Sequence, residues 1–333
     1  MLDPVDRPPC LPIELHLHLE GSLEPGFVRH LVTGRPAAAG VDFAALYAFS
    51  DFKGFLEAYR RVVTLLTRPE DFSEMTLAAC VRLAGIGVRY AELIFTPLIH
   101  TRRGLDHGAV SRAIVSALDK ARTSLGLECN LIYDTVRQWG AEAALETATL
   151  AVADSRAGLP VVGFGVGGDE LSVPAAELAG AFRLAKEAGL FSYVHAGEVG
   201  PPESVWEALE VLGADRIGHG VSAARDPLLM DELARRGTAL DLCPTSNLLT
   251  RAVPRLEEHP LPLFIERGLT VTLGSDDPGF FGSWLDNELA LCRELWGWDS
   301  AAVATLTRNA ARSAFLPQAG CEALAARLGL SLE

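Results

Sequence analysis

Residues 13–22 read Ile13-Glu14-Leu15-His16-Leu17-His18-Leu19-Glu20-Gly21-Ser22, with apolar side chains alternating with Glu14, His16, His18 and Glu20. A period of two is that of a β-strand, and it sends His16 and His18 to the same face. Two imidazoles side by side on one rigid strand form half of a metal site. Gly21 lets the backbone turn, and Ser22 is placed to cap a helix starting near Leu23. The His-x-His pattern alone also fits two histidines on an exposed strand face. Residues further along the chain decide between the two.

Outward from this strand, 34–40 reads as a loop and 42–71 as mainly helical. Phe49, Phe52, Phe55, Leu56, Tyr59 and Val63 fall there at helical spacings. Such a face either packs on a core or forms an apolar lid near the end of the first strand. Residues 72–87 continue as helix. Strand patterns then recur at 89–96, 127–133, 160–166, 191–196, 216–219, 239–243 and 270–275, with helical patterns between them. The 160–166 run is nearly all apolar, as expected of a parallel strand covered on both faces. Eight short strands alternating with helices predict an α/β fold, a (β/α)8 TIM-type barrel. Extra helices follow the first strand and, over 284–330, the last. No Pro-, Gly- or Ser-rich linker interrupts the rhythm, which predicts one domain over 1–333.

The chain has 333 residues, 49% of them hydrophobic, enough for a large core. A formal net charge of −14 argues against a nucleic-acid backbone or an anionic membrane as partner. It favours a small, neutral or locally paired ligand. Cys10, Cys80, Cys129, Cys243, Cys292 and Cys321 are scattered without any C-x-x-C. They read as reduced thiols of a cytoplasmic protein. Residues 1–12 show no secretory pattern, and no apolar run reaches transmembrane length. Oligomeric state leaves no mark on the pattern.

In a barrel of this kind the reacting groups sit at the C-terminal ends of the strands. Titratable residues gather there. His16 and His18 end the first strand, and His195 and Glu198 end the fifth in His195-Ala196-Gly197-Glu198. His219 ends the sixth in Gly218-His219-Gly220, and Asp276 and Asp277 follow the eighth in Ser275-Asp276-Asp277-Pro278-Gly279. A lone strand-end His is commonly structural and a lone Asp-Asp-Pro commonly a turn. Four such placements on one rim point to a site. Three imidazoles and one carboxylate, His16, His18, His195 and Asp276, suit one Zn²⁺ per chain with a position left for water. A metal so held lowers the pKa of water toward neutrality. His219 and Glu198 are then free for proton transfer. A two-metal site on a similar barrel usually needs a bridging group, often a carbamylated lysine ending the fourth strand. Lys53, Lys120 and Lys186, the only lysines, are not there. His30, His100, His107 and His259 lie off the pattern and read as surface residues.

These residues carry a family resemblance. His-x-His-Leu-Glu-Gly-Ser, Gly-Gly-Asp-Glu (167–170), His-Ala-Gly-Glu, Gly-His-Gly, Cys-Pro-Thr-Ser-Asn (243–247) and Ser-Asp-Asp-Pro occur in order along nearly the whole chain. Together they resemble the adenosine deaminase family. The resemblance implies hydrolytic deamination at C6 of a 6-aminopurine, with release of ammonia. Glu198 would be protonated and give its proton to purine N1. His219 would orient the attacking water, and Asp276 would accept its proton as well as bind metal. Asp277 would meet N7 and the Gly168 N–H would meet N3. The same motifs bring Glu20 and Ser22 into the substrate-binding set. The reaction needs these groups, because an aromatic C–NH2 carbon is poorly electrophilic until its ring nitrogen is protonated.

Classical family members typically carry Asp, thought to meet the ribose 5′-hydroxyl, where this chain has Glu20. Glu occurs in relatives acting on adenine or on aminodeoxyfutalosine, a 5′-extended adenosine derivative of menaquinone synthesis, and 275–282 also resembles those relatives. A longer Glu20 either shortens the pocket against a ribose or turns away to admit a substituted one. The apolar wall over 49–63 favours a nucleoside such as adenosine, with aminodeoxyfutalosine and adenine as alternatives. Another zinc hydrolase attacking an amide or ester has no use for an N1 acid. A cytidine-deaminase-type site lacks its H-x-E…P-C-x-x-C pattern. An inactive binding homologue commonly loses ligands, and every expected ligand type is present.

Overall fold

A computed structural model describes residues 10–33, 35 and 41–332. The expected 34–40 loop lies outside the described residues apart from Arg35. Eight strands follow in chain order: β1 (Ile13–His18), β2 (Tyr90–Phe95), β3 (Glu128–Val136), β4 (Val161–Gly167), β5 (Phe191–Ala196), β6 (Arg216–His219), β7 (Ala239–Leu242) and β8 (Val271–Leu273). They form one sheet in that order, and each neighbouring pair is parallel. The two edges of the sheet meet just beyond β8. There the Asp276 N–H donates to His16 O at 2.7 Å and the His18 N–H donates to Asp276 O at 2.9 Å. This pair of bonds turns the sheet into a (β/α)8 barrel.

The strands are buried on both faces, as helices cover the outside. Leu17, Leu93, Phe95, Leu131, Val166, Val194, Ile217 and Leu240 pack in one core with helix residues such as Ile114, Leu178, Phe182 and Leu233. The helices Leu285–Trp296, Ser300–Ser313 and Gln318–Arg327 follow the last strand, as expected. Ser300–Ser313 packs on β8 and β1. No helix among the described residues is long and apolar enough to cross a membrane.

Local chemistry changed some boundaries. The expected helix from Leu23 starts instead at Pro25, which needs no hydrogen bond for its nitrogen at the first helical position. Glu20–Ser22 forms a 3₁₀ turn, and the Ser22 hydroxyl donates to Leu19 O at 2.6 Å rather than capping that helix. The 42–71 region breaks into the helices Phe43–Leu46 and Phe52–Val63, and a third starts at Pro69. Asp51 interrupts it, capping the second helix by accepting from the Gly54 N–H at 2.8 Å.

Inside the barrel, below the rim, lies a dry ionic layer. Arg216 of β6 is fully buried and donates to Glu92 of β2 and to Asp241 of β7, each at 2.7 Å. Its guanidinium also lies over the Phe315 ring at 4.0 Å. Removing one member of a buried ion network strands the others, which costs about 3–5 kcal/mol. Arg216→Met is therefore expected to destabilise the protein by that amount in urea unfolding; a loss under about 1 kcal/mol would show that the two carboxyls simply protonate.

Candidate active site

The closing bonds between β1 and the segment after β8 set the centre of the site. Because the Asp276 backbone sits between those of His16 and His18, its carboxylate falls between their rings. Asp276 Oδ1 is 3.4 Å from His16 Nε2 and 3.4 Å from His18 Nε2. His195, from the end of β5, brings Nε2 to 3.2 Å from His16 Nε2 and 3.1 Å from His18 Nε2. Ligand atoms about 2.0–2.1 Å from a tetrahedral zinc stand about 3.3 Å apart. These four separations match ligand atoms around one such ion.

The surroundings orient these ligands. His195 Nδ1 lies 2.9 Å from Val166 O, so its ring proton is held there and Nε2 keeps its lone pair for a metal. Cys243 Sγ lies 3.4 Å from His16 Nδ1, the nitrogen facing away from the other ligands. Burial pushes the Cys243 thiol well up, which keeps it neutral. Cys243 thus stands against His16, and with His16 and Asp276 it forms a further group of atoms close enough together to hold a metal. Glu14 ties the seam from beneath, accepting from the His16 N–H at 2.9 Å and from the Ser275 hydroxyl.

Backbone strain collects at the same place. Among the described residues only His219, Arg251 and Asp276 combine a side chain with positive φ, at 65°, 64° and 58°. Left-handed backbone is unfavourable for such residues and persists only where surrounding contacts impose it. At His219 and Asp276 it turns the side chains toward the barrel mouth.

Glu198 stands beside this cluster, with Oε2 3.6 Å from His219 Nε2. Its loop is held by Glu170, whose carboxylate accepts from the N–H groups of Gly197, Glu198, Val199 and Gly200. Thr250 Oγ1 contacts Glu198 Oε1 at 3.0 Å. Burial, then the negative charges of Asp276 and Glu170, push the Glu198 carboxyl well above the usual range. Asp277 is raised by burial and by Asp276. Burial would raise Asp276 too, but His16, by its charge and its hydrogen bond, holds it well below. The surroundings thus drive Asp276 down and Glu198 and Asp277 up.

The cluster forms the floor of a cavity of about 590 Å³. Phe52, Phe55, Leu56 and Tyr59 of the helix Phe52–Val63 make one wall, and Trp139 and Gly168 lie on another. The 52–63 face is thus a cover over the site, pinned by Phe55 against Phe281 at 4.7 Å between ring centres. Glu20 is fully buried but stands outside the cavity lining. Its Oε1 accepts from the Thr96 N–H at 3.1 Å and meets His100 Nε2 at 3.0 Å, while Oε2 has no partner. His100 and His259 were expected at the surface, and both are buried. Each is a polar partner: His100 of Glu20, His259 of the Asn247 amide. His30 is exposed and His107 half-buried.

Asp134, near the end of β3, was not singled out from the sequence. It lines the cavity, is 3% exposed and has Oδ1 unpartnered. Its place at a strand end was the available signal, obscured by the apolar run around it. Glu170 and Thr250 were missed as supports of Glu198 because their roles arise only from loop packing.

The chain belongs to the adenosine deaminase family, whose model matches residues 12–329. It is 41% identical to the aminodeoxyfutalosine deaminase of Streptomyces avermitilis over 95% of this chain and 89% of that protein. The solved adenine deaminase of Arthrobacter aurescens superposes with a TM-score of 0.88 at 32% identity, covering 95% of this chain and 97% of that one. An amidohydrolase of Burkholderia ambifaria, solved with bound Zn, matches with a TM-score of 0.88 at 26% identity over 96% and 90%. The protein is a hydrolytic deaminase of adenine-type substrates, acting on a cyclic amidine C–N bond.

Gly21 lies against the base of Asp277, where a Cβ would stand 2.9 Å from the Asp277 Cα. Gly21→Ala is expected to destabilise the fold by about 1–3 kcal/mol, the range for overpacking, and to weaken binding of an unreactive purine analogue. Urea unfolding and calorimetric titration check both; unchanged values would show that the Asp277 backbone has room to move.

Proposed function

We propose that this chain deaminates a 6-aminopurine nucleoside extended at its 5′ position, of the aminodeoxyfutalosine type, using one Zn²⁺ held by His16, His18, His195 and Asp276. The cavity carries this reading. Its volume of about 590 Å³ lies within the roughly 300–1,000 Å³ of pockets for drug-sized ligands. A bare purine would leave its outer, aromatic part empty. Glu20, held by Thr96 and His100, leaves the ribose end open for a substituent. The aminodeoxyfutalosine deaminase of Streptomyces supports the same choice, and plain adenosine, the first expectation, becomes secondary.

When bound, the zinc lowers the pKa of a water and supplies the nucleophile for purine C6. Glu198, kept protonated by burial and neighbouring charge, gives its proton to N1 and makes C6 electrophilic. His219 is pushed down to about 3, chiefly by burial, and acts as a neutral hydrogen-bond donor to the attacking oxygen. Asp276 directs Oδ1 to the imidazoles and keeps Oδ2, 3.9 Å from His219 Nε2, to accept the water's proton. Asp277, neutral through burial and the Asp276 charge, donates to N7, and the Gly168 N–H meets N3. Ser22, its hydroxyl bonded to Leu19 O, acts through the turn that carries Glu20. Water adds at C6, ammonia leaves, and a 6-oxopurine remains.

Ammonia release from the zinc-loaded protein tests this, with aminodeoxyfutalosine, adenosine, 2′-deoxyadenosine and adenine offered at equal concentration. The extended nucleoside is expected to show the highest kcat/KM, by about tenfold or more; equal or faster turnover of adenine would contradict the reading. Glu198→Gln is expected to lower kcat by about 10²–10⁴-fold with the metal content unchanged. Near-normal turnover would remove Glu198 as the acid.

A further inference from the structure

A buried chain of hydrogen bonds runs to His219 from outside the reacting cluster. It begins at the Leu261 N–H, which donates to His259 Nδ1 at 3.2 Å. A backbone amide only donates, so His259 Nδ1 accepts. Burial pushes His259 down to about 3, leaving one ring proton, which must sit on Nε2. His259 Nε2 faces Asn247 Oδ1 at 3.1 Å, and the Asn247 Nδ2 group faces His219 Nδ1 at 3.1 Å. Each bond fixes the direction of the next. His219 Nδ1 accepts, and its own single proton is left on Nε2, the nitrogen facing Glu198 and Asp276.

We propose that His259 sets the proton position of His219 through the Asn247 amide, and so aims an N–H into the active site. His259 is a positioning residue, since it touches none of the reacting groups. Asn247 and His219 are buried and His259 is 3% exposed, so water does not take over the bonds. Reversing the Asn247 amide would set two donors face to face at His259 in a dry interior, which holds the chain in one direction. The opposite tautomer of His219 would turn a lone pair toward the attacking oxygen and repel it. This last step rests on the deaminase reading; the proton position does not.

Nitrogen-15 NMR of the histidine rings in the full-length, zinc-loaded protein reads the tautomer directly. The wild type is expected to show Nε2–H at both His219 and His259. Asn247→Asp keeps the shape but replaces the donor facing His219 with an acceptor, and should draw a proton to His219 Nδ1. Its kcat should fall about 10–100-fold, the range for residues that orient an active-site group, with KM changed less than about threefold. His259→Leu should lower kcat similarly, while His259→Gln, whose amide N–H replaces Nε2–H, should recover most of it. An Nδ1–H tautomer at His219 in the wild type would overturn the proposal. So would wild-type kcat in Asn247→Asp, or equal losses in His259→Leu and His259→Gln. If no 6-aminopurine is turned over, the mechanism fails while the NMR result still decides the relay.

Discussion

The two backbone hydrogen bonds between β1 and Asp276 are the constraint on which the rest depends. An eight-stranded parallel sheet becomes a barrel only where its edges join, and here the join passes through His16, His18 and Asp276. Closure and assembly of the site are one event. The Asp276 carboxylate reaches the imidazoles because its backbone is already hydrogen-bonded between theirs. The positive φ at Asp276 costs about 1–3 kcal/mol, and the seam bonds, Glu14 beneath them and the surrounding core offset it.

Closing the barrel also buries many acids in one cavity. Burial raises Glu198, Asp277 and Asp134 alike, while Asp276, beside His16, is held well below the usual carboxylate range. Pairs of groups whose surroundings drive their pKa values apart divide into acids and bases. Glu198 and Asp276 are driven apart in this sense, which supports the roles proposed for them. Asp134 is a further carboxyl on the cavity wall that burial pushes well up.

The strand–helix rhythm was legible because alternation and apolar runs depend on local periodicity, which the barrel does not override. His16, His18, His195, His219, Glu198, Asp276 and Asp277 were legible because strand ends converge in this fold. Ser22 was misread as a helix cap because Pro25 starts the helix later than the turn residues suggest. His100 and His259 were misread because short segments between strands look exposed in sequence, while their burial depends on partners 80 and 12 residues away. Asp134, Glu170 and Asn247 act through contacts between different strands and loops. Glu170 and Asn247 stand in the motifs at 167–170 and 243–247 and Asp134 at a strand end, but the partners they meet are set by packing between elements.

On the proposed reading, the seam builds a one-metal site of three imidazoles and a carboxylate, with Cys243 standing behind it. X-ray absorption at the zinc edge of the zinc-loaded protein tests this most directly. Nitrogen and oxygen neighbours are expected at about 2.0–2.2 Å, with an imidazole pattern and no sulfur. A sulfur neighbour at about 2.3 Å would make Cys243 a ligand and contradict this ligand set.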